Sequence, residues 1–212
     1  MIRRFRRKSA VAASPTPLGP DWQSRTYVVV DLETTGLDWR RDQIVAFGAV
    51  VIRDGVIHNA ESRYGLVHPS CPVSDAAVRV HGLRAQDLAE APPLDECLTT
   101  LDALLRGNVL VAHCASIERR FLTTAFRDAY LVFDSPVIDT EVLARHALGI
   151  DDSGTVVSLE YAATALGLPV FTPHHALGDA MTTATLFLAL AHKIGESGPT
   201  GSSAVAHGAL GL

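Results

Sequence analysis

The valine-rich run Tyr27-Val28-Val29-Val30 leads directly into Asp31-Leu32-Glu33-Thr34-Thr35-Gly36-Leu37, and no other stretch constrains the chain so tightly. A run of β-branched residues this apolar belongs to a strand inside a sheet. Strand side chains alternate faces, so Asp31 and Glu33 point the same way from the end of that strand. Two carboxylates held so close repel, and each raises the other's pKa unless a cation neutralises them. Mg²⁺ or Mn²⁺, which prefer oxygen ligands, would do so. Alone, the pair also fits a plainer reading, in which acids close a strand ahead of a sharp Thr-Thr-Gly turn.

With 212 residues, 48% of them hydrophobic, the chain can bury a full core in one domain. No apolar stretch approaches the roughly eighteen residues that a membrane span requires. Cys71, Cys97 and Cys114 show no C-x-x-C spacing, which argues against a disulfide framework and suits a reducing, cytoplasmic setting. Arg3, Arg4, Arg6, Arg7 and Lys8 cluster at the start, leaving 13 basic against 23 acidic residues in the remainder. A protein gripping long duplex nucleic acid normally carries a basic stripe, whereas one holding a short strand end through metal ions can be acidic. The basic arm could tether loosely to phosphates or could simply be solvated.

The pattern predicts a flexible basic and proline-containing leader over residues 1–24, an ordered domain over 25–195 and a loose Gly/Ser/Ala-rich tail over 196–212. Residues 44–53 read as a second buried strand, Asp54-Gly55 as a hairpin turn, and Val56 to Val67 as a third strand. A short helix is expected at Ser74–Val80, and longer ones at Leu94–Leu105, Ser116–Tyr130, Thr140–Leu148, Ser158–Leu166 and Ala176–Lys193. Val109–Ala112 and Pro136–Asp139 complete the strands. Strands first, then alternating helices and strands, indicate an α/β domain with a mixed five-stranded sheet flanked by helices.

Two further segments bear acids. In Val109-Leu110-Val111-Ala112-His113-Cys114-Ala115-Ser116-Ile117-Glu118, a strand delivers Glu118 into the first turns of a helix. That placement can aim the acid at the strand ends, although an acid in a first turn is also favourable dipole chemistry. In His174-His175-Ala176-Leu177-Gly178-Asp179, the histidines sit in a loop and Asp179 opens the last helix. Neutral imidazole is an effective base near neutrality, while a His-His pair alone could equally be a polar loop or a soft-metal site.

Taken together, these segments resemble the DEDD superfamily of 3′–5′ exonucleases in its DEDDh branch, which includes the proofreading epsilon subunit of bacterial DNA polymerase III. The resemblance covers roughly residues 25–193. D-x-E-T-T-G is matched by Asp31 to Gly36, and H-x-A-x-x-D by His174, Ala176 and Asp179. A-H-N-A-x-F-D is matched in part by Ala112-His113-Cys114-Ala115-Ser116-Ile117-Glu118. Val80-His81-Gly82-Leu83, Ile138-Asp139-Thr140 and Ser158-Leu159 fit the same pattern.

The resemblance implies a ribonuclease H-like fold and two-metal hydrolysis releasing nucleoside 5′-monophosphates from single-stranded 3′ ends, DNA favoured over RNA. It implies that Asp31, Glu33, Glu118 and Asp179 hold two Mg²⁺ or Mn²⁺ ions, with Asp31 shared between them. His174 would take the proton from the attacking water. Thr34, Thr35, Gly36, Leu37 and His81 would hold the terminal nucleotide, and His113 would orient the phosphate. A polymerase or repair partner is a further expectation.

The chain departs from the family pattern at Glu118, usually aspartate, and at Cys114, usually asparagine. A small-oligoribonucleotide nuclease, or a nucleic-acid-binding module weakened at Glu118, are the alternative readings. A free thiol beside acids should be poorly ionised, so Cys114 is not expected to be a nucleophile.

Overall fold

A computed structural model describes residues 18–19, 21–150 and 154–196. The expectations for most of the leader and for the tail from residue 197 lie outside the described residues. The strands are β1 Tyr27–Thr34, β2 Ile44–Arg53, β3 Val56–Ile57, β4 Arg63–Leu66, β5 Val109–Ala112 and β6 Val137–Asp139. The helices are α1 Asp75–His81, α2 Ala85–Leu88, α3 Leu94–Leu105, α4 Ser116–Asp128, α5 Thr140–Ala147, α6 Leu159–Ala165 and α7 Ala176–Glu196.

All six strands join one sheet in the order β3-β2-β1-β5-β6, with β4 also paired to β2. The expected count of five rises to six because the anticipated third strand is interrupted by a 3₁₀ turn at Asn59–Glu61. Both of its pieces, β3 and β4, pair antiparallel with β2. β1 pairs antiparallel with β2 and parallel with β5, and β5 pairs parallel with β6, so the sheet is mixed as expected.

Alternation along β1 divides the core in two. Tyr27 and Val29 enter a cluster with Val111, Ile138, Leu143, Phe187 and Leu190, beneath α5, α6 and α7. Val28 and Val30 enter another with Leu98, Leu101, Phe121, Leu122 and Phe126, beneath α3 and α4. A sheet covered on both faces needs apolar residues on both, which is why β1 reads as an unbroken valine run. Asp31 and Glu33 continue the odd-numbered series and therefore project on the α7 side.

Trp22, within the segment expected to be leader, is 5% exposed and sits edge-on to Phe187 and His192 at 6.2 and 5.1 Å between ring centroids. Its carbonyl accepts the Tyr27 hydroxyl at 2.8 Å. The core therefore recruits residues ahead of Arg25. A composition rich in proline and small residues hid a large aromatic whose burial removes substantial apolar surface from water. Among the described residues, no helix is long and apolar enough to cross a membrane.

Candidate active site

The acids gather at the C-terminal ends of the parallel strands, where open α/β sheets form their crevices. In register, Val29 of β1 lies beside Val111 of β5 and Ala112 of β5 beside Asp139 of β6. Asp31, two residues beyond Val29, thus projects past the end of β5. Opposite Asp31 on β2 stands Gly48. A Cβ there would lie 2.2 Å from the Ala176 carbonyl oxygen and 2.4 Å from the Leu177 nitrogen. Only a glycine lets the first turn of α7 rest against the sheet beside Asp31, and that turn carries Asp179.

Asp31, Glu33 and Asp179 each offer a carboxylate oxygen, and these oxygens lie within 4.8 Å of one another. Glu118 arrives separately, from the first turn of α4 on the opposite face of the sheet. It is 6% exposed, and its buried Oε2 has no hydrogen-bond partner. Burial pushes the Asp31 carboxyl well above the ordinary carboxylate range, and repulsion from Glu118, Asp179 and Glu33 adds to it in that order. Burial likewise pushes Glu33 up to about 7, with Asp179 adding. Glu118 is pushed up to about 8, chiefly by burial, with Asp139 and Glu33 adding and its own backbone amide opposing. Asp179 is raised by burial and held back by the His174 amide and imidazole. Asp31, Glu33 and Asp179, with too few donors among them, form a set that suits a hard cation with oxygen ligands, and Glu118, outside that set, adds to its negative charge.

His174 occupies the left-handed region at φ 58°, and its backbone N–H donates to Asp179 Oδ2 at 2.9 Å. Its half-exposed imidazole lies 3.9 Å from Glu160. His175 stacks on Tyr64 of β4, with centroids 4.6 Å apart.

The turn after β1 is braced from within. Thr34 Oγ1 donates to the Gly36 carbonyl at 2.7 Å, and Thr35 Oγ1 donates to Asp42 Oδ1 at 2.9 Å. Asp42 Oδ2 also accepts the Asp38 N–H at 2.8 Å. Leu37, at the tip, is 82% exposed.

Two histidines expected to touch substrate are engaged within the protein. His81 Nδ1 accepts the Leu83 N–H at 3.0 Å, so Nε2 carries the proton and donates to the Thr34 carbonyl at 3.2 Å. Burial lowers its pKa, keeping it neutral in that tautomer. His81 thus buttresses the turn after β1. His113 Nε2 lies 2.7 Å from the Val157 carbonyl, which requires a donor, and Nδ1 lies 3.0 Å from Thr140 Oγ1. Both ring nitrogens are engaged within the protein.

Cys114 adopts φ 56°, a conformation that asparagine accepts more readily than most residues. Burial, with Asp139 and Glu141 adding, pushes the Cys114 thiol up to about 12, so it stays protonated. Gly48 and Asp42 had no part in the sequence motifs, and Asp139 entered them only through the Ile138-Asp139-Thr140 match, with no role assigned. A glycine inside an otherwise β-branched strand was the available signal for Gly48.

Residues 28–187 match the family model of the RNase T exonucleases. The chain is 33% identical over 180 residues to the PolC-type DNA polymerase III of Thermotoga petrophila, covering 84% of this chain and 13% of the polymerase. It is 34% identical to a DNA polymerase III subunit epsilon-like protein of Rhodobacter capsulatus, covering 92% of this chain and 27% of that protein. The chain thus spans only a fraction of these relatives' length. Exonuclease X, solved in complex with 5′ overhanging duplex DNA, superposes with a TM-score of 0.63 at 25% identity, over 85% of this chain and 99% of that one. E. coli exonuclease I, solved with a dT13 oligonucleotide, shares the fold with a TM-score of 0.68 at 15% identity, over 78% of this chain and 41% of that one. The family match runs from the second residue of β1 into α7 and so covers the whole framework that carries the acids: the chain belongs to the RNase T exonuclease family.

Proposed function

We propose that this domain is a metal-dependent 3′–5′ exonuclease that releases nucleoside 5′-monophosphates from single-stranded DNA ends. The observation that carries the reading is the convergence of three carboxylate oxygens within 4.8 Å, beside a fourth buried carboxylate with an unpartnered oxygen. Asp31, Glu33, Asp179 and Glu118 would hold Mg²⁺ or Mn²⁺. When bound, such ions supply an acidified water and neutralise charge on the entering and leaving oxygens. His174, tethered through its amide to Asp179 and open to solvent, would accept the proton of the attacking water. The rigid Thr34–Gly36 turn would receive the terminal nucleotide, and the exposed Leu37 would pack on its base. His81 would fix that turn without touching the nucleotide.

The likeness to exonuclease X, solved with 5′ overhanging duplex DNA, supports DNA over RNA as substrate. Relatives named for DNA polymerase III support a replicative polymerase as partner. Glu118 lies near enough to Asp31 to raise that group's pKa, and this proximity favours activity over a metal-free binding role.

The test uses labelled single-stranded DNA, 3′-recessed duplex and RNA with Mg²⁺ or Mn²⁺, alongside Asp31→Ala. Mononucleotide release from DNA that vanishes in the variant is expected. Binding without release under either metal would reject the proposal, and faster RNA cleavage would move it to oligoribonucleotides.

A further inference from the structure

Asp139, the last residue of β6, is 7% exposed and spends its carboxylate on three backbone amides. Oδ1 accepts the Cys114 N–H at 3.0 Å and the Glu141 N–H at 2.9 Å, while Oδ2 accepts the Ala115 N–H at 2.9 Å. The Glu141 bond caps α5. The other two reach across to the turn joining β5 to α4, in which Cys114 holds the left-handed φ of 56°. A non-glycine residue in that region is strained and persists there only where its surroundings hold it. Two charge-assisted bonds from a buried carboxylate, flanking the strained residue, are such a hold. Four residues after Cys114 comes Glu118, whose direction depends on how α4 leaves this turn.

We infer that Asp139 is a positioning residue: by clamping the Cys114–Ala115 backbone in its left-handed turn, it aims Glu118 across the end of β5 at Asp31. The inference rests on the metal-site reading given above and extends it to a residue that touches neither metal nor substrate. Several features support it. The α4 N-cap position, Ala115, makes no side-chain cap bond, so the entry into the helix is held by the two Asp139 bonds to the amides just ahead of it. Asp139 keeps its three donors although burial pushes its carboxyl up to about 6. It also lies close enough to Glu118 to add to that group's raised pKa, which links the clamp to the cluster electrostatically.

Asparagine at 139 presents one acceptor oxygen and a donor group, so it must abandon either the Ala115 amide or the Cys114 and Glu141 pair. Asp139→Asn should lower kcat by about 10–100-fold, the range typical of groups that orient metal ligands, with KM for DNA little changed. Mn²⁺ binding followed by paramagnetic resonance should show one weakened site and one unaltered site. Amide exchange at Cys114 and Ala115 should quicken in the metal-free protein. Combined with Glu118→Gln, the substitution should add no further loss. Cys114→Gly should restore part of the rate and of the Mn²⁺ affinity to Asp139→Asn, because glycine adopts positive φ without the Cβ penalty.

Losses that multiply with Glu118→Gln, wild-type Mn²⁺ binding in Asp139→Asn, or no recovery through Cys114→Gly would each overturn the inference. If Asp139→Asn does not fold, Cys114→Val strains the same turn with Asp139 intact and should weaken the same Mn²⁺ site; unchanged binding there overturns it equally. An inactive wild-type protein would remove the nuclease reading while leaving the Mn²⁺ and exchange measurements decisive for the clamp.

Discussion

Replacing Glu118 with glutamine in the metal-free protein should stabilise it at alkaline pH, even though the same change is expected to impair catalysis. Glu118 is 6% exposed, its Oε2 has no partner, and burial pushes its carboxyl up to about 8 from an ordinary value of 4.5. The folded protein therefore holds a proton that the unfolded chain releases, and stability falls as pH rises from the unfolded value to the folded one. His81 and His113 act in the opposite sense, because burial lowers their pKa values and they cost stability only as pH drops below their ordinary value. Confining the comparison to about pH 6.5–8.5 isolates the acids. Across that window Glu118 titrates through about one and a half units, worth about 2 kcal/mol at 1.36 kcal/mol per unit.

For a domain of this size, about 2 kcal/mol corresponds to about 4–8 °C in Tm. In EDTA, wild-type Tm should fall by that much or more from the acidic to the alkaline end, since Glu33, raised to about 7, titrates in the same window. Glu118→Gln should show a clearly shallower fall and should exceed wild type at the alkaline end. Excess Mg²⁺ should lift wild type most where its metal-free stability is lowest. Differential scanning calorimetry at both ends of the window is sufficient. A wild-type Tm that is flat or rising with pH in EDTA, or a glutamine variant less stable than wild type at the alkaline end, would refute a buried and uncompensated Glu118.

Gly48→Ala should cost about 1–3 kcal/mol as an overpacked site and lower activity further than its Tm explains, because the new methyl displaces the α7 turn bearing Asp179. A variant with wild-type Tm and rate would show that α7 does not depend on that contact. Trp22→Ala should cost about 3–5 kcal/mol in denaturant unfolding while leaving kcat unchanged at temperatures where the variant remains folded. A cost under about 1 kcal/mol would mean that the segment ahead of β1 does not belong to the core. Leu37→Ala, at an 82% exposed position, should raise KM for DNA with little change in Tm. An unchanged KM would remove Leu37 from the nucleotide contact.

The local chemistry was legible in the chain itself. Period-two alternation after a valine run was enough to put Asp31 and Glu33 on one face, and the helix around Ser116 and the helix starting at Ala176 were marked by their periodicity. These are short-range consequences of backbone geometry, so sequence carries them. Which partner each group meets is a long-range matter. His81 and His113 entered as nucleotide and phosphate contacts only through the family resemblance, and no local pattern could announce that the fold brings the Thr34 carbonyl to one and Val157 and Thr140 to the other. Gly48 read as one small residue in a strand until the α7 turn came to lie on it. Trp22 read as leader because its partners Phe187 and His192 are more than 160 positions away. Asp139 clamps a turn 25 residues earlier in the chain. Spacing along the chain determined which acids this protein carries and on which elements; only the closing of β1, β5, β6 and α7 around one another decided which of those groups meet and which are spent on holding the site in shape.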